Sequence, residues 1–143
     1  MKKRSDAKSR EERHEPIHLV LDETIAGKVI VSGLTDHDIP AIPLGDITSR
    51  GASDLEVLDA LADRPDLYLL TRDKDFRYHS ATRQRLLDSG AGVFVITSAG
   101  NKTGTQLVEL IVSAWKRIQK FARKNKRPFI AKVTGEGKVE AHR

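Results

Sequence analysis

The 143-residue chain carries 25 Lys+Arg against 20 Asp+Glu, is 38% hydrophobic and contains no cysteine. That length can enclose a hydrophobic core unaided, and the missing thiols exclude disulfide scaffolds, cysteine nucleophiles, zinc fingers and Cys-ligated iron–sulfur clusters. No apolar run approaches the roughly 20 residues that span a bilayer, and the basic start leads into no apolar stretch of a secretory signal, so a cytoplasmic protein with no membrane partner is expected.

Residues 1–16 have no large apolar side chain between Met1 and the closing Pro16. Such a segment buries too little surface to offset its ordering entropy, which predicts a mobile charged arm or a short frayed helix. The remainder, 17–143, reads as one domain, with a core at 17–100 and a basic helix and hairpin at 101–143. Ile17 to Leu21 is a short apolar run of buried-strand type that ends abruptly in Asp22-Glu23. Ile25 to Leu34 fits a short helix or a second strand, with Gly33 as its stop. Residues 35–52 are rich in Asp, Pro and Gly and predict an irregular connection with at most a short strand around Ile39 to Leu44.

Ser53-Asp54-Leu55-Glu56 is a capping-box sequence, opening a helix through about Asp63 with Leu55, Leu58, Leu61 and Ala62 on its apolar stripe. Leu67 to Thr71 is a second apolar strand that runs into Asp73 and Asp75. Ser80 is placed to cap a helix through Leu86 to Asp88, stopped by Gly90, and Val93 to Thr97 is a third strand. From about Thr105 to Lys124 the apolar residues Leu107, Leu110, Ile111, Ala114, Trp115, Ile118, Phe121 and Ala122 follow helical spacing. Phe129 to Val133 and Lys138 to Glu140 flank Gly135-Glu136-Gly137 as a small terminal hairpin. Apolar strands alternating with helices predict an α/β fold: a three-layer α/β/α sandwich around a mostly parallel sheet.

In such sheets ligands bind beyond the C-terminal ends of the strands, and two strands deliver acids there: Asp22-Glu23, and Asp73 with Asp75. If those strands are parallel neighbours, Asp22, Asp73 and Asp75 converge, and Asp54 joins them if its helix starts at that edge. Carboxylates a few Å apart repel one another. A hard divalent cation such as Mg²⁺ or Mn²⁺ relieves this and prefers oxygen ligands, and it can stabilise charge on a phosphoryl oxygen. Taken singly, each acid is also an ordinary turn or N-cap residue; the expected convergence carries the case. Glu23 is either a further ligand or a helix N-terminal charge. Glu56 is the capping partner of Ser53, and Asp59, Asp63 and Asp66 read as solvated charges. The five histidines show no ligand spacing, and neither a P-loop nor a dinucleotide fingerprint is present.

Val20-Leu21-Asp22-Glu23, Gly51-Ala52-Ser53-Asp54-Leu55-Glu56-Val57-Leu58 and Leu70-Thr71-Arg72-Asp73-Lys74-Asp75-Phe76 together resemble the PIN-like family of small nucleases. They look closest to its VapC-like toxin branch in bacterial toxin–antitoxin pairs. The resemblance covers roughly 17–100, and the T-R-D-K-D-F block is its most specific part. It implies RNA phosphodiester cleavage with Mg²⁺ or Mn²⁺. Matched position by position, Asp22, Asp54 and Asp73 become the primary metal-site acids and catalytic residues. Asp75 becomes a fourth that ligates or orients water, and Thr71 a hydrogen-bond partner of a ligand carboxylate. The same resemblance implies an antitoxin protein as partner, and a homodimer as a family expectation.

Charge is split along the chain. Residues 17–115 hold nine Lys/Arg against fourteen Asp/Glu, and 116–143 hold ten against two. On the enzyme reading, Lys116, Lys120, Arg123, Lys124 and Arg127 hold the RNA backbone, since phosphate contacts give affinity without sequence choice. The alternative is a non-catalytic nucleic-acid- or partner-binding module on the same fold.

Overall fold

The computed structural model describes residues 17–49, 51–73, 80–97 and 102–142, apart from the side chains of residues 54 and 55. The arm expected at 1–16 lies outside the described residues, as does Asp75. Elements follow in the order β1 (His18–Leu21), α1 (Lys28–Asp36), β2 (Ala41–Pro43), a 3-10 turn (Leu44–Asp46), α2 (Asp54–Ala62), β3 (Leu67–Thr71), α3 (Ser80–Ser89), β4 (Gly92–Ile96), α4 (Gly104–Lys124), β5 (Phe129–Val133) and β6 (Val139–Ala141).

The strands form one sheet in the order β2-β1-β3-β4-β5-β6. β1 through β5 are mutually parallel and β6 returns antiparallel to β5, with Val133 opposite Val139. β3 and β4 are buried along their whole length, as their uninterrupted apolar sequences require of strands covered on both faces. Alternate side chains feed two separate cores. On one face Leu19, Leu21, Leu70, Phe94, Ile96 and Ala131 pack under α1 and α4. On the other Val20, Leu69, Val93, Val95 and Ile130 pack under α2 and α3. The result is an α/β/α sandwich around a mostly parallel sheet.

One sequence expectation changes and two open readings are decided. The ambiguous segment after Ile25 is a helix, and it runs through Gly33 to Asp36. Gly33 is therefore a packing residue and not a stop: a Cβ there would lie 2.7 and 2.9 Å from the two γ-methyls of Val108. α1 and α4 touch backbone to side chain at that point, and only glycine permits it. The connection at 35–52 does contain a strand, β2, short and half-buried at the sheet edge. Its three residues include Pro43, tolerated because an edge strand need not donate on its outer side.

The helix starts are sharply defined. At α2 the Ser53 hydroxyl accepts from the Glu56 amide at 3.2 Å, and the Glu56 carboxylate accepts from the Ser53 amide at 2.8 Å. Thr103 and Gln106 form the same reciprocal box at α4. Each cap of this kind contributes about 1 kcal/mol.

α4 runs alongside α1 in the same direction: Gly104 lies against Val29 and Ile30, and Val108 against Gly33. The helix thus starts at the C-terminal edge of the strands and ends at their N-terminal edge. There Tyr68, Phe94, Phe121 and Phe129 form an aromatic cluster with ring centroids 5.0 to 6.0 Å apart.

Candidate functional site

β1 and β3 are parallel neighbours, with Leu21 opposite Leu70. From β1 the chain turns outward to β2 and then crosses back to β3 on the other side. The crevice between their C-terminal ends is therefore a topological switch point, where open α/β sheets bind ligands. Asp22 follows β1 directly and Asp73 stands two residues beyond β3.

Asp22 is half-buried and anchored on both carboxylate oxygens. Oδ1 accepts from the Thr24 amide at 2.8 Å and from the Thr24 hydroxyl, an Asx-turn in the chain leaving β1. Oδ2 accepts from the hydroxyl of Thr71, the last residue of β3. Thr71 is fully buried, and the same hydroxyl accepts from the Asp73 amide at 3.0 Å. One buried threonine therefore ties the side chain of Asp22 to the backbone of Asp73. A carboxylate offers about four acceptor positions; three are used here, so Asp22 retains capacity for a ligand.

The other predicted acids separate into placed and unplaced. The backbone of Asp54 opens α2 directly after the Ser53 cap. That start lies at the same edge, because Gly51, Ala52 and Val57 line a cavity of about 480 Å³ together with Glu23. Glu23 is exposed beside Asp22, and Asp73 is exposed beyond β3. The side chain of Asp54 and the whole of Asp75 are outside the described residues.

Two residues escaped the sequence reading. Thr24 is one; its signal was the D-x-T spacing of an Asx-turn. Asp46 is the other: it lines the 480 Å³ cavity together with Glu23, Thr48 and Ser49. It stands three residues beyond β2, at the end of the 3-10 turn, where Asp22 follows β1 directly.

The donor set is all oxygen, which suits Mg²⁺ or Mn²⁺ and no soft metal. Among the described residues, no three His, Asp or Glu side chains are grouped closely enough to hold an ion by themselves. Asp22 and Asp73 are the described residues best placed to hold one, with Asp54 and Glu23 at the same edge.

The predicted basic residues are not brought to these acids. Lys116, Lys120, Arg123 and Lys124 lie on the second half of α4 and are exposed. At 1.5 Å per residue, Lys120 is about 25 Å along the helix from the capped start beside the acid edge. Arg127 turns inward: its Nη1 donates to the Leu67 and Leu61 carbonyls at 2.9 and 3.3 Å, its Nη2 to Ala62 at 3.3 Å. Its guanidinium also lies 5.4 Å from the centre of the Tyr68 ring. Those carbonyls belong to the C-terminus of α2 and the start of β3, so Arg127 closes a helix end.

Among the described residues no helix is long and apolar enough to cross a membrane. No curated protein and no solved structure matches the chain. A family model described as a PIN-like domain matches residues 17–98, more than half of the sequence and the span that contains β1 through β4 and all the candidate acids. The chain belongs to the PIN-like domain family, a family of nuclease type.

Proposed function

We propose that the protein is a metal-dependent endoribonuclease that hydrolyses RNA phosphodiester bonds at the C-terminal edge of β1 and β3, and that it is the toxin of a type II toxin–antitoxin pair, with an antitoxin protein as its partner. The observation that carries the reading is the Asp22–Thr71–Asp73 linkage at the switch point of the sheet, within the span matched by the nuclease-type family. The likeness of the L-D-E, G-A-S-D and T-R-D-K-D-F segments to VapC-like proteins supports the toxin role.

In this reading Asp22, Asp54, Asp73 and Asp75 hold Mg²⁺ or Mn²⁺. When bound, the cation supplies Lewis-acid stabilisation to a phosphoryl oxygen. Thr71 fixes the orientation of Asp22, so that the carboxylate need not reorganise when it engages a ligand. Thr24 holds the second oxygen of Asp22 and restrains the turn that leaves β1. Glu23 and Asp46 face the adjoining cavity, where they repel phosphate and leave room for the less charged sugar or base of the substrate.

The test is cleavage of a labelled single-stranded RNA with Mg²⁺ or Mn²⁺, run beside single-stranded DNA. RNA cleavage that is stopped by a chelator and lost in Asp22→Asn and Asp73→Asn is expected. Intact RNA after long incubation with metal, with RNA binding unchanged by those substitutions, favours the second reading of a non-catalytic binding module. One observation speaks for that alternative: three acceptor positions of Asp22 are already engaged within the protein. For the toxin role, induced expression arrests growth, and Asp22→Asn abolishes the arrest.

A further inference from the structure

We propose that the second half of α4 and the segment after it form a separate nucleic-acid site, which binds the phosphate backbone of single-stranded RNA at the sheet edge opposite the acids. RNA as the polymer rests on the proposed ribonuclease reading; the phosphate chemistry rests on the cations themselves. Lys116, Lys120 and Lys124 recur at intervals of four residues, a stripe with neighbouring side chains about 6 Å apart. That interval is close to the separation of successive phosphates in an extended strand.

Two hollows flank this stripe and share Lys124 and Asn125. One, of about 310 Å³, is lined by Lys120 and Phe121. The other, of about 590 Å³, is lined by Arg123 and Lys126 and floored by Tyr68. Lys116, Lys120, Arg123, Lys124 and Lys126 are all exposed, and no carboxylate lies within 4.0 Å of any of them among the described residues. The nearby Asp66 is already hydrogen-bonded by Arg64 at 3.3 Å.

Ordinary helix energetics do not account for the stripe. The negative end of the helix dipole favours cations in the last turn, which covers Arg123 and Lys124 but not Lys116 or Lys120. A membrane is a poor occupant. The exposed large hydrophobics among the described residues are Val29 and Leu87, on α1 and α3, and neither borders the hollows. A cationic groove with an aromatic ring in its wall is the recurring composition of sites that take single strands, whose phosphates meet the cations while a base lies on the ring. Phe121 supplies such a ring, half-buried in the smaller hollow.

Because the groove lies about 25 Å from the acid edge, it tethers a long substrate rather than orienting the cleaved bond. The experiment is fluorescence anisotropy of a labelled 20-nucleotide single-stranded RNA in the presence of chelator, against increasing salt. The triple variant Lys120→Gln, Arg123→Gln, Lys124→Gln loses on the order of tenfold or more in affinity, and the slope of log K against log salt falls by about 2. These side chains are exposed, and an unchanged circular dichroism spectrum and melting temperature certify the fold. Equal RNA affinity in the triple variant overturns the proposal, as does selective binding of a poly-Glu peptide or anionic vesicles in place of RNA. RNA held by the groove but never cleaved in metal would refute the ribonuclease reading and leave the groove standing. Cleavage with undiminished affinity in the triple variant does the reverse.

Discussion

Asp22 and Thr71, 49 residues apart in the chain, are joined by a hydrogen bond in which the buried threonine hydroxyl donates to the Oδ2 of the aspartate. The bond depends on β1 and β3 being parallel neighbours in a register that sets Leu21 opposite Leu70. Because the same hydroxyl accepts from the Asp73 amide, its removal affects both acids together. Thr71→Val preserves shape but leaves the Asp73 N–H without its acceptor and Asp22 without a donor, a cost of about 1–3 kcal/mol. Thermal melts should show the loss, RNA cleavage should fall with it, and Thr71→Ser should restore most of both. Cleavage that survives in Thr71→Val would show that Asp22 needs no such positioning.

Asp22→Asn removes a charge while leaving an oxygen that can still accept from Thr24. Its amide nitrogen cannot accept from the buried Thr71 hydroxyl as Oδ2 does, so about 1–3 kcal/mol of stability is lost while the fold is kept. Cleavage should drop by more than about 100-fold, beyond the usual effect of losing a group that merely orients a ligand. Circular dichroism and a metal-dependent RNA assay on the same preparation separate the two effects.

Glu56 gives a pH signature that does not involve the site chemistry. The Ser53 backbone amide, and after it the Ser53 hydroxyl, hold its carboxyl below the ordinary value of 4.5. A carboxylate whose pKa is lowered on folding contributes stability that is fully present above its unfolded value and lost as pH falls through the folded one. The start of α2 should therefore loosen below about pH 4.5, seen as faster amide hydrogen exchange at residues 56 and 57. Glu56→Gln should flatten that dependence, and an unchanged profile in Glu56→Gln would remove the capping box as its source.

Gly33→Ala places a methyl 2.7 and 2.9 Å from the γ-carbons of Val108. α1 and α4 must part or Val108 must leave its rotamer, at a cost of about 1–3 kcal/mol. The double variant Gly33→Ala, Val108→Ala should recover part of it in urea titrations. No recovery would place the strain elsewhere.

Arg127→Lys keeps the charge but not the planar fork that reaches three carbonyls at once. Hydrogen bonds from a charged group are worth about 1.5–3 kcal/mol, so the lysine variant should melt several degrees lower. RNA affinity should change little, which distinguishes Arg127 from the exposed cations of α4.

Much of this architecture was legible in the sequence because its signals are local. The runs ending at Leu21 and Thr71 are too short and too apolar to be anything but covered strands, and S-x-x-E at Ser53 and the long stripe of α4 mark helices by spacing alone. The parts that were missed depend on distant contacts. Gly33 looks like a helix stop until Val108, 75 residues later, is seen to fill its missing side chain. The short strand expected around Ile39 to Leu44 is three residues long, Ala41 to Pro43, and takes its bounds from β1 beside it. The basic residues of α4 were legible by type, but spacing along a helix does not say at which edge of the sheet the helix ends. The T-R-D-K-D-F block located Asp73 and Thr71 by resemblance, whereas the hydrogen bond that unites Thr71 with Asp22 follows only from strand order.

β4 has β3 on one side and β5 on the other, while the family match ends at residue 98, just beyond β4. A chain shortened there would keep every candidate acid and lose α4, which covers one face of the sheet. Val93, Phe94 and Val95 would then form an open apolar edge with free backbone donors and acceptors, ready to zip onto another copy. The edge of β4 within the family-matched stretch is thus covered by a strand that lies beyond it.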